Sequence, residues 1–258
     1  MSFAGIRDQE IALRLLCNFL EHERVPNGLL FWGPGGVGKN LAAIEFAKAL
    51  NCKDAKFDAC GQCVTCRKID HGNHPDIRVY APKDKSRLIK KDEIDEVNEF
   101  ASLRPFESQW RIFIMHDAER MNPTAQNHFL KTLEEPPGRS LFILLSEHPR
   151  MLLPTIRSRC QAVRFRALRR ETVSELLRRD RDLPQDLADS IAEIAEGQMS
   201  RAIDLVDSEK RQVALSLVDR LASGDDPVVM AEEFSAFLDE RRKQIEAAVK
   251  AEASAEAM

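Results

Sequence analysis

Apolar positions follow two alternating rhythms through the first two thirds of the chain and a single rhythm afterwards. Residues 8–22 place Ile11, Leu15, Leu16 and Phe19 at helical spacing. Leu29-Leu30-Phe31-Trp32 is a short continuous apolar run ending at Gly33, the pattern of a buried strand entering a turn. Helical spacing returns over 39–50. Further strands are expected at Ile77–Tyr80, Ile112–Met115, Leu141–Leu145 and Ala162–Phe165. Helices are expected at 92–103, with Asp92 as N-cap, and at 123–134, where Pro123 suits the first turn. Buried strands alternating with helices predict an α/β domain with a parallel five-stranded sheet covered on both faces.

From about residue 167 only helical patterns remain, broken at 182–184, 196–197 and 223–227. The last eight residues lack an apolar stripe and read as a frayed tail. No internal repeat is visible. The expected organisation is a first domain over 1–166, a helical region over 167–207 and a short helical remnant over 208–258.

Composition narrows the function classes. The chain of 258 residues is 43% hydrophobic and 31% charged, with a net charge of −4. Its pI is about 5.9. That balance argues against a protein coating nucleic acid by bulk charge alone and leaves room for a local basic patch. No apolar run approaches the roughly 18 residues that span a bilayer. The first residues lack the basic-then-apolar form of a signal peptide. A cytoplasmic protein without a membrane partner is expected, in which six cysteines are more readily metal ligands or buried thiols than disulfides.

Two motifs carry chemistry. Gly33-Pro34-Gly35-Gly36-Val37-Gly38-Lys39-Asn40 follows a strand and opens a helix, matching the first seven positions of a phosphate loop. Gly33, Gly35, Gly36 and Gly38 let backbone N–H groups curl toward phosphate oxygens; the helix N-terminus and Lys39 add positive charge. The eighth position, where a Ser or Thr hydroxyl normally ligates Mg²⁺, is Asn40, so the nucleotide-binding half of the motif is intact and the metal-positioning half altered. Bound ATP or ADP without turnover is the expectation. Cys52, Cys60, Cys63 and Cys66 form C-x7-C-x2-C-x2-C directly after the loop's helix. Four thiolates at that density suit structural Zn²⁺, with an iron–sulfur cluster as the rival. His71 and His74 read as polar loop residues outside a filled shell, and Cys17 as a small core residue.

A cysteine module inserted after a phosphate-loop helix resembles the clamp-loader subunits of bacterial DNA polymerase III, the delta-prime and tau/gamma proteins. Asn127–Pro137 resembles their L-K-T-L-E-E-P-P segment, Ser158-Arg159-Cys160 their S-R-C motif, and Gly197–Ala202 the sensor segment of their helical lid. The resemblance covers about residues 3–207. It implies an AAA+ fold with a lid over 167–207 and a collar, reduced here to 208–258. It also implies a hetero-oligomeric ring with tau/gamma and delta subunits that loads a sliding clamp on primed DNA. Carried over by matching positions, Lys39 contacts nucleotide phosphates, Arg159 is an arginine finger offered to a neighbour, and the four cysteines hold zinc. Ser146 and Arg201 take the two sensor positions. The third strand ends His116-Asp117 where an active motor has Asp-Glu. With Asn40, this erosion resembles delta-prime rather than the tau/gamma motors. A working tau/gamma-like ATPase is the alternative, and an unrelated P-loop phosphotransferase a remote third.

Two basic stretches remain. Residues 157–181 hold nine arginines against Glu171, Glu175 and Asp180. This stripe suits DNA, an acidic partner or a solvated face equally. Lys83, Lys85, Arg87, Lys90 and Lys91 lack interleaved aromatics and read as a solvated loop.

Overall fold

The computed structural model describes residues 2–82, 88–207, 216–217, 219–239 and 242. Lys83, Lys85 and Arg87 of the second basic run, and the 251–258 tail, lie outside them. The chain divides into two compact units, Met1–Ile203 and Asp204–Met258. Five strands form one sheet: β1 (Gly28–Trp32), β2 (Ile77–Tyr80), β3 (Arg111–Met115), β4 (Ser140–Ser146) and β5 (Gln161–Arg164). All pairings are parallel, in the order β2-β3-β4-β1-β5. The helices of the first unit are α1 (Glu10–Glu21), α2 (Lys39–Asn51), α3 (Val64–Asp70), α4 (Lys91–Ser102), α5 (Pro123–Glu134), α6 (Pro154–Arg159), α7 (Arg170–Arg181) and α8 (Gln185–Ala195), followed by α9 (Met199–Asp207).

β3 and β4 are buried throughout and β1 nearly so, as their continuous apolar runs require. On one face Phe113 stacks on Phe142 at 4.8 Å between centroids, and Phe129 of α5 meets Phe142 edge-on at 5.2 Å. On the other, Phe31 packs against Phe165 at 5.3 Å. β2 and β5 are edge strands with mixed exposure, so coverage on both faces holds for the centre of the sheet only. After β1 the chain crosses to the β2 edge and returns through β3 to β4; after β4 it crosses to β5. β1 and β4 therefore flank a topological switch point, where ligands of open α/β sheets bind outside the carboxyl ends of the strands.

Several local expectations are corrected. α4 begins at Lys91 with Lys90 as N-cap, not Asp92; Glu93 Oε2 accepts the Lys90 N–H at 2.8 Å, leaving Asp92 in the first turn. The buried stripe of α1 is Ala12, Leu16 and Leu20, while Ile11 is 64% exposed. Cys17 is only half-buried, its thiol pushed up by burial and then by Glu21. Among the described residues no helix is long and apolar enough to cross a membrane. In the second unit residues 219–222 and 227–239 are helical, and Arg220 bonds Asp225 and Glu233, each at 2.7 Å.

At the amino ends of β2 and β3 lies a buried polar knot. The Asp76 carboxylate accepts the N–H groups of Phe106, Glu107 and Ser108 at 2.6, 2.9 and 3.0 Å, with the Arg111 guanidinium 3.4 Å away. Arg111 also donates to the carbonyls of Phe100, Leu103 and Arg104. His74 is a loop residue, as expected, but a buried one: it accepts from Asp76 N–H at 3.1 Å and meets Ser108 Oγ at 3.0 Å. Burial pulls its pKa down, against Glu107 and Asp76. Burial alone would raise the Asp76 pKa; the three N–H donors and Arg111 outweigh it and hold the carboxyl low. A carboxylate depressed in the fold stabilises above the unfolded value of about 3.9 and loses that contribution as pH falls through the lower folded value. Asp76→Ala leaves Arg111 buried and unpaired, with an expected loss of about 3–5 kcal/mol in urea unfolding at neutral pH. The gap between variant and wild type should close in strong acid.

Candidate functional site

The carboxyl ends of β1 and β4 frame the phosphate loop. Gly33 N–H donates to the Ser146 carbonyl at 3.2 Å, tying the loop's first residue to the end of β4. Gly33 has φ +148°, and a Cβ there would collide with the Phe165 carbonyl; Gly36 has φ +72°, and a Cβ there would collide with the Ser200 backbone. The N-terminus of α9 thus rests on the loop. Gly35 faces Ser200 Oγ and the Glu147 carboxylate, 2.5 and 2.7 Å from where its Cβ would stand, and Gly38 is the N-cap of α2.

Lys39 is the first residue of α2 and is buried. Its Nζ donates to the carbonyls of Gly33 and Pro34, both at 2.6 Å. Burial pulls its pKa below the usual value, while Glu147, Glu119 and Asp117 push it back up. Asn40 is exposed. His116 follows β3, donates its N–H to the Tyr80 carbonyl at 2.8 Å, and is half-buried. Burial lowers its pKa against Asp117, favouring a neutral imidazole. Asp117 itself is exposed in the left-handed region, φ 47°.

Three residues at this end were given no role by the sequence, although Ser200 lies within the Gly197–Ala202 segment. Glu119 Oε1 accepts the N–H groups of Glu147 and His148 at 3.0 and 3.2 Å, fastening the end of β3 to that of β4. Glu147 and Ser200 close on the loop, as above. Among the described residues Glu119 Oε2 and Ser146 Oγ are buried without a hydrogen-bond partner. Two orphaned polar atoms beside a glycine cradle and a lysine fit a polar ligand. The Arg201 guanidinium pairs with Glu196 at 3.1 Å.

Arg159 occupies the opposite end of the sheet. It ends α6, two residues before β5, and Gly28, the first residue of β1, packs against its carbonyl. Its guanidinium pairs with Glu134 and donates to the Thr155 carbonyl at 3.0 Å. Elsewhere in the arginine stripe, Arg169 pairs with Asp8 and Glu10, Arg170 with Glu193 and Arg179 with Asp180.

The cysteine module hangs from the far end of α2. Cys52 is the C-cap of α2 and Cys63 the N-cap of α3, a helix the sequence patterns had not indicated. The four Sγ atoms of Cys52, Cys60, Cys63 and Cys66 lie within 4.8 Å of one another. Cys52–Cys63 and Cys60–Cys66 are each separated by 4.0 Å. N–H groups of Ala55, Cys63 and Cys66 approach the sulfurs of Cys52, Cys60 and Cys63 at 3.3–3.4 Å. The N–H groups of Cys63 and Gln62 draw the Cys60 thiol down to about 7, whereas burial pushes Cys66 up. Lys48 Nζ anchors the module by bridging Glu45 at 2.6 Å and Asp70 of α3 at 2.8 Å.

Residues 8–169 match the family profile described as DNA polymerase III, delta subunit. The delta′ subunit of DNA polymerase III from Bacillus subtilis (strain 168) is 33% identical over 199 residues, 77% of this chain and 58% of the relative. The tau subunit from the same organism is 30% identical over 232 residues, 90% of this chain and 39% of the relative. The chain therefore spans about half the length of the curated relatives it matches. A crystal structure of a gamma subunit-related protein of DNA polymerase III from Thermotoga maritima superposes with TM-score 0.53 at 23% identity, covering 81% of this chain and 62% of that one. That likeness establishes the fold alone. On the sequence matches, the chain belongs to the DNA polymerase III delta subunit family as a delta′-like member.

Proposed function

We propose that this chain is a non-hydrolysing subunit of a clamp-loader ring, working with tau/gamma and delta partners to place a sliding clamp on primed DNA. The observation that carries the reading is the division of labour across one sheet. The glycine cradle and Lys39 stand at the carboxyl ends of the strands, with Asn40 and His116 at the two Mg²⁺-side positions. Arg159 stands at the amino ends. Five residues of β1 separate them, about 16 Å at strand rise, beyond an arginine's reach. Head-to-tail association of such domains brings one subunit's Arg159 to the next subunit's phosphate loop.

The cradle's own residues suit a phosphate better than a hydrolytic cycle. The loop amides, the α2 N-terminus and Lys39 would hold the phosphates; Ser146 Oγ and Arg201 are the sensor candidates. Bound Mg²⁺ would stabilise charge on transferring phosphate, yet a neutral imidazole and a carboxamide are poor substitutes for the carboxylate and hydroxyl that usually fix it. Helices α7 to α9 act as a lid, with Ser200 on Gly36 as its contact, and residues from 208 onward belong to a collar.

The four cysteines hold Zn²⁺. A tetrahedral ion with bonds of about 2.3 Å keeps its sulfurs about 3.8 Å apart, near the 4.0 Å separations here. An iron–sulfur cluster would spread them further. The isolated protein is expected to show no steady Mg²⁺-dependent ATP turnover, and Lys39→Ala to leave that background unchanged. Turnover abolished by Lys39→Ala would overturn this reading in favour of a motor.

A further inference from the structure

A second cavity, of about 730 Å³, lies at the amino ends of the strands, where the cysteine module meets the sheet. Leu20, Ala49 and Leu50 supply apolar lining, and Trp110 and Phe57 supply rings. Trp110 is fixed by a two-point clamp: Asn51 Nδ2 donates to its carbonyl at 3.0 Å, and its N–H donates to Asn51 Oδ1 at 2.9 Å. Asn51 is buried and immediately precedes Cys52. Phe57 is held at φ 63°, a rare conformation for an aromatic residue, and the Lys56 ammonium lies 4.6 Å from its ring centroid.

Lys53, Lys56 and Arg139 border the cavity, with Glu23 and Asp54 as its acids. Glu23 already faces Lys56 at 3.6 Å. Lys53 also lies near Glu107, whose carboxyl is held down chiefly by Lys68 and also by Lys53; among the described residues no hydrogen bond or ion pair is made by the Arg139 side chain. Three cations beside two aromatic residues whose backbones are anchored, around a volume typical of ligand sites, match a ligand that is planar at one end and anionic at the other. We propose that this cavity binds a nucleotide unit of single-stranded nucleic acid, its base against Trp110 and Phe57 and its phosphates against Lys53, Lys56 and Arg139. An acidic peptide would also find the cations, but two aromatic walls favour stacking, which every base supplies. The site is distinct from the phosphate loop at the other end of the sheet and stands apart from the ring reading.

The chain has two tryptophans, so Trp32→Phe leaves Trp110 as sole reporter in the full-length protein. A short oligothymidylate should quench its fluorescence saturably. Each phosphate contact contributes about −0.7 to the slope of log affinity on log salt for single strands, so three cations predict a slope near −2. Arg139→Ala and Lys53→Ala each remove about 0.7 of that slope and weaken binding roughly tenfold at low salt. Both residues are exposed, so these variants keep the core. Lys39→Ala should leave the quench intact. Four results overturn the proposal: no quench in folded, metal-loaded protein; a quench indifferent to Arg139→Ala and Lys53→Ala; a quench lost with Lys39→Ala; or an acidic peptide quenching where oligothymidylate does not. Equal quenching by inorganic pyrophosphate would reduce the site to an anion patch and overturn it too.

Discussion

If the four cysteines hold zinc as proposed, Cys63→Ser is expected to release it and to lower the melting temperature of the first unit. Cys63 serves twice: its Sγ is one of the four clustered sulfurs, and it caps α3 by accepting the Cys66 N–H at 3.4 Å. The 53–62 loop has no regular structure of its own, so its backbone order depends on the cluster. Structural zinc contributes about 10–16 kcal/mol of apparent binding energy in finger peptides, comparable to a domain's whole stability of about 5–15 kcal/mol. Without the metal, α3 stays tied to the core by its buried Thr65, Cys66 and Ile69 and by Lys48 with Asp70 and Lys68 with Glu107, each pair at 2.8 Å, whereas the 53–62 loop has no such anchor. Residues 53–62 should therefore lose hydrogen-exchange protection first. Lys39 lies at the other end of the thirteen-residue α2, about 20 Å away, so phosphate-loop contacts should survive. Zinc absent from protein purified without chelators would sink the zinc assignment.

What was legible in the sequence was what local chemistry fixes. β1, β3 and β4 read as strands because buried parallel strands must be apolar on both faces. The phosphate loop read correctly because its backbone needs glycine wherever Phe165 and Ser200 press on it. The cysteine spacing predicted a cluster that the fold then closed. Elements set by distant partners were not legible. Asp92 is a good cap by residue type, but Glu93 reaching back to the Lys90 N–H places the helix start earlier. His74 is the loop residue it looked like, but its burial was hidden because its partners, Ser108 and Glu107, arrive from more than thirty positions along the chain. Glu119, Glu147 and Ser200 converge on the loop only through the strand order and the return of α9. Ile11 fits a helical stripe in one dimension, yet the face that α1 buries is the one carrying Ala12, Leu16 and Leu20.

Arg159→Ala in this subunit alone is expected to leave the ring assembled while DNA-stimulated ATP turnover and clamp loading fall. A guanidinium is permanently charged and matches phosphate oxygens in a planar fork. Arginine fingers contribute roughly 10³–10⁵ in rate, or about 4–7 kcal/mol of barrier. The bland reading is that Arg159 only staples α6 to α5 through Glu134. That pair is part-exposed, 35% and 46% on the two side chains, and exposed pairs contribute about 0.2–1 kcal/mol. A contact so weak exchanges readily for a phosphate, and the guanidinium it holds already stands at the amino end of the sheet, where a neighbour's loop would approach. The two readings differ in what each variant does. Under the finger reading, Glu134→Ala changes melting temperature little and turnover modestly, while Arg159→Lys keeps the charge but loses the fork and most of the rate. Under the staple reading, Arg159→Ala and Glu134→Ala behave alike and act on stability or assembly. Reconstitution with a tau/gamma-type motor, following ring assembly by size and ATP turnover with primed DNA, separates them. Unchanged turnover in an intact ring would show that Arg159 acts on no neighbour, and failed assembly would return it to a structural role.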